Sequence, residues 1–184
     1  SVAIAGLGGL GSNIAMYLAR AGVGHLHLVD FDKVDITNLN RQQYDIADLG
    51  TLKTDALTKN IKRFNPFIEI TSQCVKVNED NAAEIFGGYK IVCEAFDKAE
   101  NKAMLVNSIL SECGDTKIVS GSGMAGFGSS NTIVTRKIND RFYLCGDTKS
   151  DMNDGLALAA PRVAICAAHE ANMILRLLIG EKEV

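Results

Sequence analysis

The chemistry-bearing residues of this chain are concentrated between Gly6 and Lys53. The run Gly6-Leu7-Gly8-Gly9-Leu10-Gly11 fits the pattern G-x-G-x-x-G. Glycines so spaced allow a tight turn. They also let the backbone approach a phosphate at a helix N-terminus, where free N–H groups point outward. Asp30 follows Gly11 by 19 residues, the spacing at which a nucleotide-binding sheet sets a carboxylate against ribose hydroxyls. Asp32 and Asp35 come next, and carboxylates so close together favour a bound cation or Arg and Lys partners.

The segment Asn38-Leu39-Asn40-Arg41-Gln42 then separates the chemical alternatives. A dehydrogenase has no evident use for it directly after its ribose acid, whereas an enzyme that handles a triphosphate needs fixed cations. Arg41 offers a planar fork for phosphate oxygens. Lys53 falls in the first turn of an expected helix, where a lysine is electrostatically misplaced unless an anion is near. Asp97 ends the run Cys93-Glu94-Ala95-Phe96-Asp97. A lone carboxylate after a strand can hold Mg²⁺, which keeps water and phosphate as its other ligands. Taken one at a time, each residue also has a plainer use: glycines for close packing, a surface acid at a strand end, solvated cations.

Positioning these residues requires alternating strands and helices, and the apolar periodicity supplies them. Strands are expected at Val2–Ala5, His25–Asp30, Ile68–Ile70, Ile91–Cys93 and Lys117–Val119. Helices are expected at Ser12–Ala21, Leu52–Phe64, Asn81–Phe86 and Ala99–Glu112. Four βα units in a row imply a Rossmann-like α/β fold, a mostly parallel sheet with helices on both faces. The rhythm then changes. Thr132–Ile138 and Arg141–Cys145 read as an antiparallel hairpin joined by Asn139-Asp140. Gly146–Ala159 reads as a loop, and Pro161 opens a last helix that ends before Gly180. No repeat or second domain is visible, so residues 1–184 are expected to form a single domain.

The 184 residues carry a formal charge of −3. That argues against a sequence-independent nucleic-acid binder, which needs a basic footprint. No apolar stretch reaches the roughly 18 residues of a membrane span, and the N-terminal residues lack the basic flank of a signal peptide. The five cysteines, Cys74, Cys93, Cys113, Cys145 and Cys166, form no Cys-x-x-Cys pair. Reduced thiols in a cytoplasmic protein are the expectation, with neither a disulfide framework nor a zinc site. His25, His27 and His169 are not gathered at metal spacing and read as packing or surface residues.

Together, the glycine run, Asp30-Phe31-Asp32, Asn38-Leu39-Asn40-Arg41-Gln42, Lys53, Asn65-Pro66 and Asp97 resemble the ThiF/MoeB/HesA superfamily, the bacterial branch of the ubiquitin-activating-enzyme fold. Ala160-Pro161-Arg162-Val163 resembles it as well. The length and the Asn-Leu-Asn-Arg-Gln run are most similar to the short ThiF proteins of thiamine biosynthesis. The resemblance implies that Gly6, Gly8, Gly9 and Gly11 approach the phosphates of ATP and that Asp30, with Asp32 beside it, holds the ribose. It implies phosphate contacts from Asn38, Arg41, Gln42 and Lys53, and Mg²⁺ on Asp97. Arg41, Lys53 and Asp97 are thereby the expected catalytic set. The implied reaction is attack by the C-terminal Gly-Gly carboxylate of a ubiquitin-like sulfur carrier on the α-phosphorus, giving an acyl adenylate and pyrophosphate. Alternatives are the same chemistry on another carboxylate (a molybdopterin-type carrier, a modified tRNA or a peptide) and a catalytically silent nucleotide-binding partner subunit. A homodimer is implied, and Cys145 is a candidate for sulfur chemistry against the plainer reading of an inert thiol. Longer relatives hold zinc on two Cys-x-x-Cys pairs; this sequence has none, so no zinc is expected.

Overall fold

A computed structural model of the chain describes residues 1–150 and 155–184. Its strands are β1 (Val2–Ala5), β2 (His25–Val29), β3 (Glu69–Gln73), β4 (Ile91–Glu94), β5 (Lys117–Gly121), β6 (Val134–Lys137) and β7 (Phe142–Gly146). Its helices are α1 (Gly9–Arg20), α2 (Lys53–Lys62), α3 (Glu79–Phe86), α4 (Ala99–Glu112) and α5 (Ala160–Leu178). The strands form one sheet in the order β3-β2-β1-β4-β5-β7-β6, parallel throughout except for the antiparallel β6–β7 pair. The α/β expectation, hairpin included, therefore holds.

The period-2 alternation of strand side chains divides the core in two. Val2, Ile4, Leu26, Leu28, Cys93 and Val119 face one way, into the layer built from α1, α2 and α5. Ala3, Ala5, Val29, Val92 and Ile118 face the other, where α3 and α4 contribute Phe86, Leu105 and Ile109. A strand buried on both faces reads as a continuous apolar run, which is why β1 is Val-Ala-Ile-Ala.

Element boundaries shift for local reasons. Helix α1 begins at Gly9 rather than Ser12, because the glycine turn is itself the first turn of the helix. Helix α3 begins at Glu79 rather than Asn81, since Asn78 and Asn81 cap one another reciprocally. The hairpin link is longer than Asn139-Asp140. The strands stop at Lys137 and resume at Phe142, and the Ile138 and Asn139 N–H groups both donate to the Phe142 carbonyl. Part of the expected loop Gly146–Ala159 lies in residues 151–154, outside the described residues.

One feature of the topology locates the site. Strands β1 and β4 are neighbours, yet the chain leaves them in opposite directions, toward β2 and toward β5. Such a switch point opens a crevice at the carboxyl ends of the two strands. The glycine run follows β1 and the Asp97 loop follows β4, so both emerge there.

Candidate functional site

The glycine turn is held too tightly for side chains at two of its positions. Gly6 adopts φ +90°, and a Cβ there would stand 2.8 Å from the Ala95 carbonyl oxygen. A Cβ on Gly11 would collide with the Gly6 carbonyl oxygen. The turn thus folds onto itself and against the chain leaving β4. No side chain caps α1, so the N–H groups of its first turn have no helical acceptor and remain available to an anion.

Asp30 ties this turn to β2. Its Oδ2 accepts from the Leu7 N–H at 2.6 Å and its Oδ1 from the Asp32 N–H at 2.7 Å. Burial raises its pKa, while the two N–H donors and Lys53 oppose that shift. Each carboxylate oxygen can accept a second hydrogen bond, so a ribose hydroxyl is not shut out.

Lys53 is buried at the start of α2, and its Nζ lies 3.0 Å from Asp32 Oδ2. The anion that its position demanded is therefore the chain's own. The Asp32 side chain is 49% exposed, so the pair sits at the rim and Asp32 is free to turn outward.

Arg41 and Gln42 flank the turn from the other side. Arg41 Cγ and Cδ come within 3.7 Å of where a Cβ on Gly9 would stand, and Gln42 Nε2 within 3.8 Å of one on Gly8. Arg41 Nη1 donates to the Thr37 carbonyl (3.1 Å) and to Asn40 Oδ1 (2.8 Å). Arg41 Nε and Gln42 Oε1 are buried without partners, an arrangement that costs free energy unless a ligand completes it. A cleft of about 390 Å³, lined by Asn13, Arg41, Gln42 and Pro161 among others, opens beside them. Asn38 has a structural duty, since its Oδ1 accepts from the Asp35 N–H and closes a capping box.

Several residues that hold this arrangement carried no sequence signal of their own. Asn13 on α1 donates to the Gly9 and Arg41 carbonyls (2.7 and 3.1 Å) and accepts from Gln43 Nε2 (2.7 Å). Ser12 Oγ accepts from the Gln43 N–H, and the Tyr44 hydroxyl donates to the Leu7 carbonyl at 2.8 Å. Helix α1 thereby clamps the Arg41 segment onto the turn. The nearest available hint was Gln43-Tyr44, which directly continues the Asn-x-Asn-Arg-Gln run.

Asp97 is exposed in the loop between β4 and α4. Among the described residues no group of three or more His, Cys, Asp or Glu side chains is gathered. A single exposed carboxylate suits a metal held mainly by water and phosphate, and not one that demands a full protein cage. Arg41 thus meets the turn at Gly9 and the chain just before Asp97 meets it at Gly6, whereas Lys53 is linked to it only through Asp32, whose N–H donates to Asp30.

Cys145 is fully buried at the end of β7, beside Thr135 Oγ1 at 3.5 Å. Burial pushes its thiol pKa up, so this conformation offers no thiolate. His27 is buried and stacks on Tyr89 with ring centroids 5.1 Å apart, and His25 and His27 both meet Thr71 Oγ1.

Fold and site together define an α/β domain of the doubly wound type with a glycine-rich turn at its switch point. Comparison with known proteins is more specific. The ThiF family model matches residues 1–184, and the chain belongs to that family. "Adenylyltransferase and sulfurtransferase MOCS3" of Dictyostelium discoideum is 32% identical over 191 residues, covering 100% of this chain and 44% of that protein. "Adenylyltransferase and sulfurtransferase UBA4" of Eremothecium gossypii is 38% identical over 124 residues, covering 67% of this chain and 28% of that one. The chain thus spans less than half the length of these curated relatives. Among solved structures, E. coli tRNA N6-threonylcarbamoyladenosine dehydratase (TcdA) in complex with ATP superposes with a TM-score of 0.86. It has 23% identity and covers 97% of this chain and 85% of its own. E. coli MccB with ATP superposes with a TM-score of 0.74 at 21% identity, covering 98% and 57%. No described helix is long and apolar enough to cross a membrane.

Proposed function

We propose that residues 1–184 form one ThiF-type adenylation domain. It uses ATP to activate the C-terminal Gly-Gly carboxylate of a ubiquitin-like sulfur carrier, that of thiazole formation in thiamine biosynthesis. The observation that carries this reading is the turn itself. Of the five buried polar atoms that lack partners among the described residues, two, Arg41 Nε and Gln42 Oε1, lie beside an uncapped glycine-rich helix N-terminus. Relatives named adenylyltransferase and sulfurtransferase support the same class of chemistry.

In this reading the α1 N-terminus and Arg41 receive phosphate oxygens, and Asp30 orients the ribose. Lys53 exchanges its rim partner Asp32 for phosphate when nucleotide binds. A carboxylate is already ionised at neutral pH and needs no general base. Its oxygen attacks the α-phosphorus, the bond from that phosphorus to the bridging oxygen breaks, and pyrophosphate leaves with the electron pair. The work of the chain is to hold two anions together and to neutralise the leaving group. Mg²⁺, held by Asp97, would supply charge compensation on the phosphates when bound.

Activation of a different carboxylate is the second reading. It is favoured by the likeness to TcdA and by MccB, one of whose structures contains MccA. We further propose a cytoplasmic homodimer. Pyrophosphate–ATP exchange separates the substrates. Exchange that depends on a Gly-Gly-ended sulfur carrier, with the carrier adenylate seen by mass spectrometry, is expected. Absence of exchange with every such carrier, while a peptide or tRNA acceptor supports it, rejects the carrier reading. Sedimentation at the mass of one chain would reject the dimer.

A further inference from the structure

Directly behind the Asp97 loop lies a buried polar hub. Glu94, the last residue of β4, is fully buried among apolar strands. An ionised side chain there is expensive unless every oxygen is satisfied, and here each is. Glu94 Oε1 accepts from the Phe96 N–H at 2.6 Å and Oε2 from Ser120 Oγ at 2.5 Å. Lys102 Nζ lies 3.3 and 3.1 Å from the two oxygens. The contacts come from three directions. Ser120 is the residue in register with Glu94 on β5, Lys102 belongs to the first turns of α4, and Phe96 immediately precedes Asp97. The Phe96 N–H, immediately before Asp97, is thereby tied to the Glu94 side chain. The Ala95 carbonyl and the Phe96 ring are themselves pressed against Gly6. The Glu94 side chain thus holds the backbone immediately before Asp97, and the same stretch of chain lies against the glycine turn.

We propose that Glu94 is a positioning residue for the metal–nucleotide site, and that the Glu94–Lys102–Ser120 hub sets where the Asp97 carboxylate stands relative to the phosphate-binding turn. This rests on the reading of Asp97 as the carboxylate that takes Mg²⁺. Glu94 itself touches neither metal nor substrate, because its oxygens are consumed by Phe96, Ser120 and Lys102. Partners that orient a ligating carboxylate typically contribute roughly 10- to 100-fold to metal affinity.

The test is calorimetric titration of ATP into the full chain, with Mg²⁺ and separately with EDTA. Glu94→Gln and Ser120→Ala are each compared with the wild type. The expected result is that the variants lose roughly 10-fold or more of the affinity for Mg²⁺-ATP, while affinity for ATP in EDTA changes by less than about two-fold. Lys102→Met is expected to behave like Glu94→Gln, and Lys102→Arg, which preserves the ion pair, to recover most of the loss. Hydrogen exchange at the Phe96 amide, read in metal-free protein, is expected to quicken in Ser120→Ala. Should Glu94→Gln fail to fold, the milder Ser120→Ala, which removes one hydrogen bond, still decides the matter. Equal losses with and without Mg²⁺ would reduce the hub to general scaffolding and overturn the proposal. So would an unchanged Mg²⁺ preference in variants whose wild type shows one. A wild type indifferent to Mg²⁺ would overturn the reading of Asp97, and this proposal with it.

Discussion

Replacing Glu170 by glutamine flattens the pH dependence of stability. Glu170 is fully buried on α5, with the Cys93 and Cys166 sulfurs 3.7 and 3.8 Å from its two oxygens. Burial raises its pKa from the ordinary 4.5 to about 8, helped by the negative Glu94 and opposed by Lys102. Burial works against the charge on Lys102, but the Glu94 carboxylate beside it outweighs that and holds its pKa above the ordinary value. At neutral pH Glu170 is therefore uncharged, beside the Lys102–Glu94 ion pair. The thiols of Cys93, Cys145 and Cys166 lie near it, their pKa values pushed upward. An acid that binds its proton more tightly when folded loses stability as pH rises, because the unfolded chain ionises first. The loss begins near pH 4.5, runs at roughly 1.4 kcal/mol per unit, and levels off above about 8. Between pH 4.5 and 7 it amounts to roughly 3 kcal/mol. Glutamine carries no such linkage. Its extra N–H costs about 1–3 kcal/mol if unpaired, but that offset does not vary with pH. The assay is urea denaturation of both proteins at several pH values from 5 to 8. The difference between variant and wild type is expected to move in the variant's favour by roughly 3 kcal/mol across the range. Parallel pH profiles would refute the assignment of a buried, neutral Glu170.

Arg41→Ala should lower pyrophosphate exchange by about 10²- to 10³-fold with little change in melting temperature, because its side-chain hydrogen bonds are exposed; a large drop in melting temperature would mark a structural residue instead. Gly11→Ala should cost more than about 3 kcal/mol in denaturant unfolding, since the new methyl meets the Gly6 carbonyl rather than a movable side chain. A thiol reagent should modify Cys74 quickly and the other four cysteines only on unfolding, because Cys74 alone is exposed. Cys145→Ser should leave carrier thiocarboxylate formation intact, as judged by mass spectrometry; its loss would make this buried thiol a participant after all.

Features set by neighbours along the chain were legible in the sequence. The glycine turn needs a strand before it and a helix after it, and both are written in local apolar periods. Asp30 is placed by the length of one βα unit. Lys53 was legible as an anomaly, a cation in the first turn of a helix, though its resident partner was not. That partner, Asp32, depends on how the chain between Asp32 and Lys53 folds back, for which the sequence offers only short capped turns at Ile36–Asn38 and Ile46–Asp48. The Glu94 hub was hidden for a stronger reason. Its members are separated by 8 and 26 residues and Glu170 stands 77 from Cys93, so only the strand register and the docking of α5 bring them together. The same applies to Arg162, whose buried guanidinium bonds the Gly128 and Ser129 carbonyls and Asp147.

Where polar groups are buried also orders the machinery. Glu94, Lys102 and Glu170 lie beneath the crevice at or near the carboxyl ends of β4 and β5, the end of the sheet from which Asp97 emerges. An apolar filling of this space would fold at less electrostatic cost, since a buried ion pair is seldom a net source of stability. What the pair adds is direction: an oxygen-rich carboxylate fixes the Phe96 N–H, Ser120 and Lys102 at once, which a leucine could not. The rim is different. Asp32 is half exposed while its partner Lys53 is buried, and Arg41 is held by a carbonyl and an amide oxygen at the surface. In the proposed reading the half-exposed Asp32 is the member of the rim pair that gives way to a triphosphate, while the chain just before Asp97 is anchored from below through the Phe96 N–H.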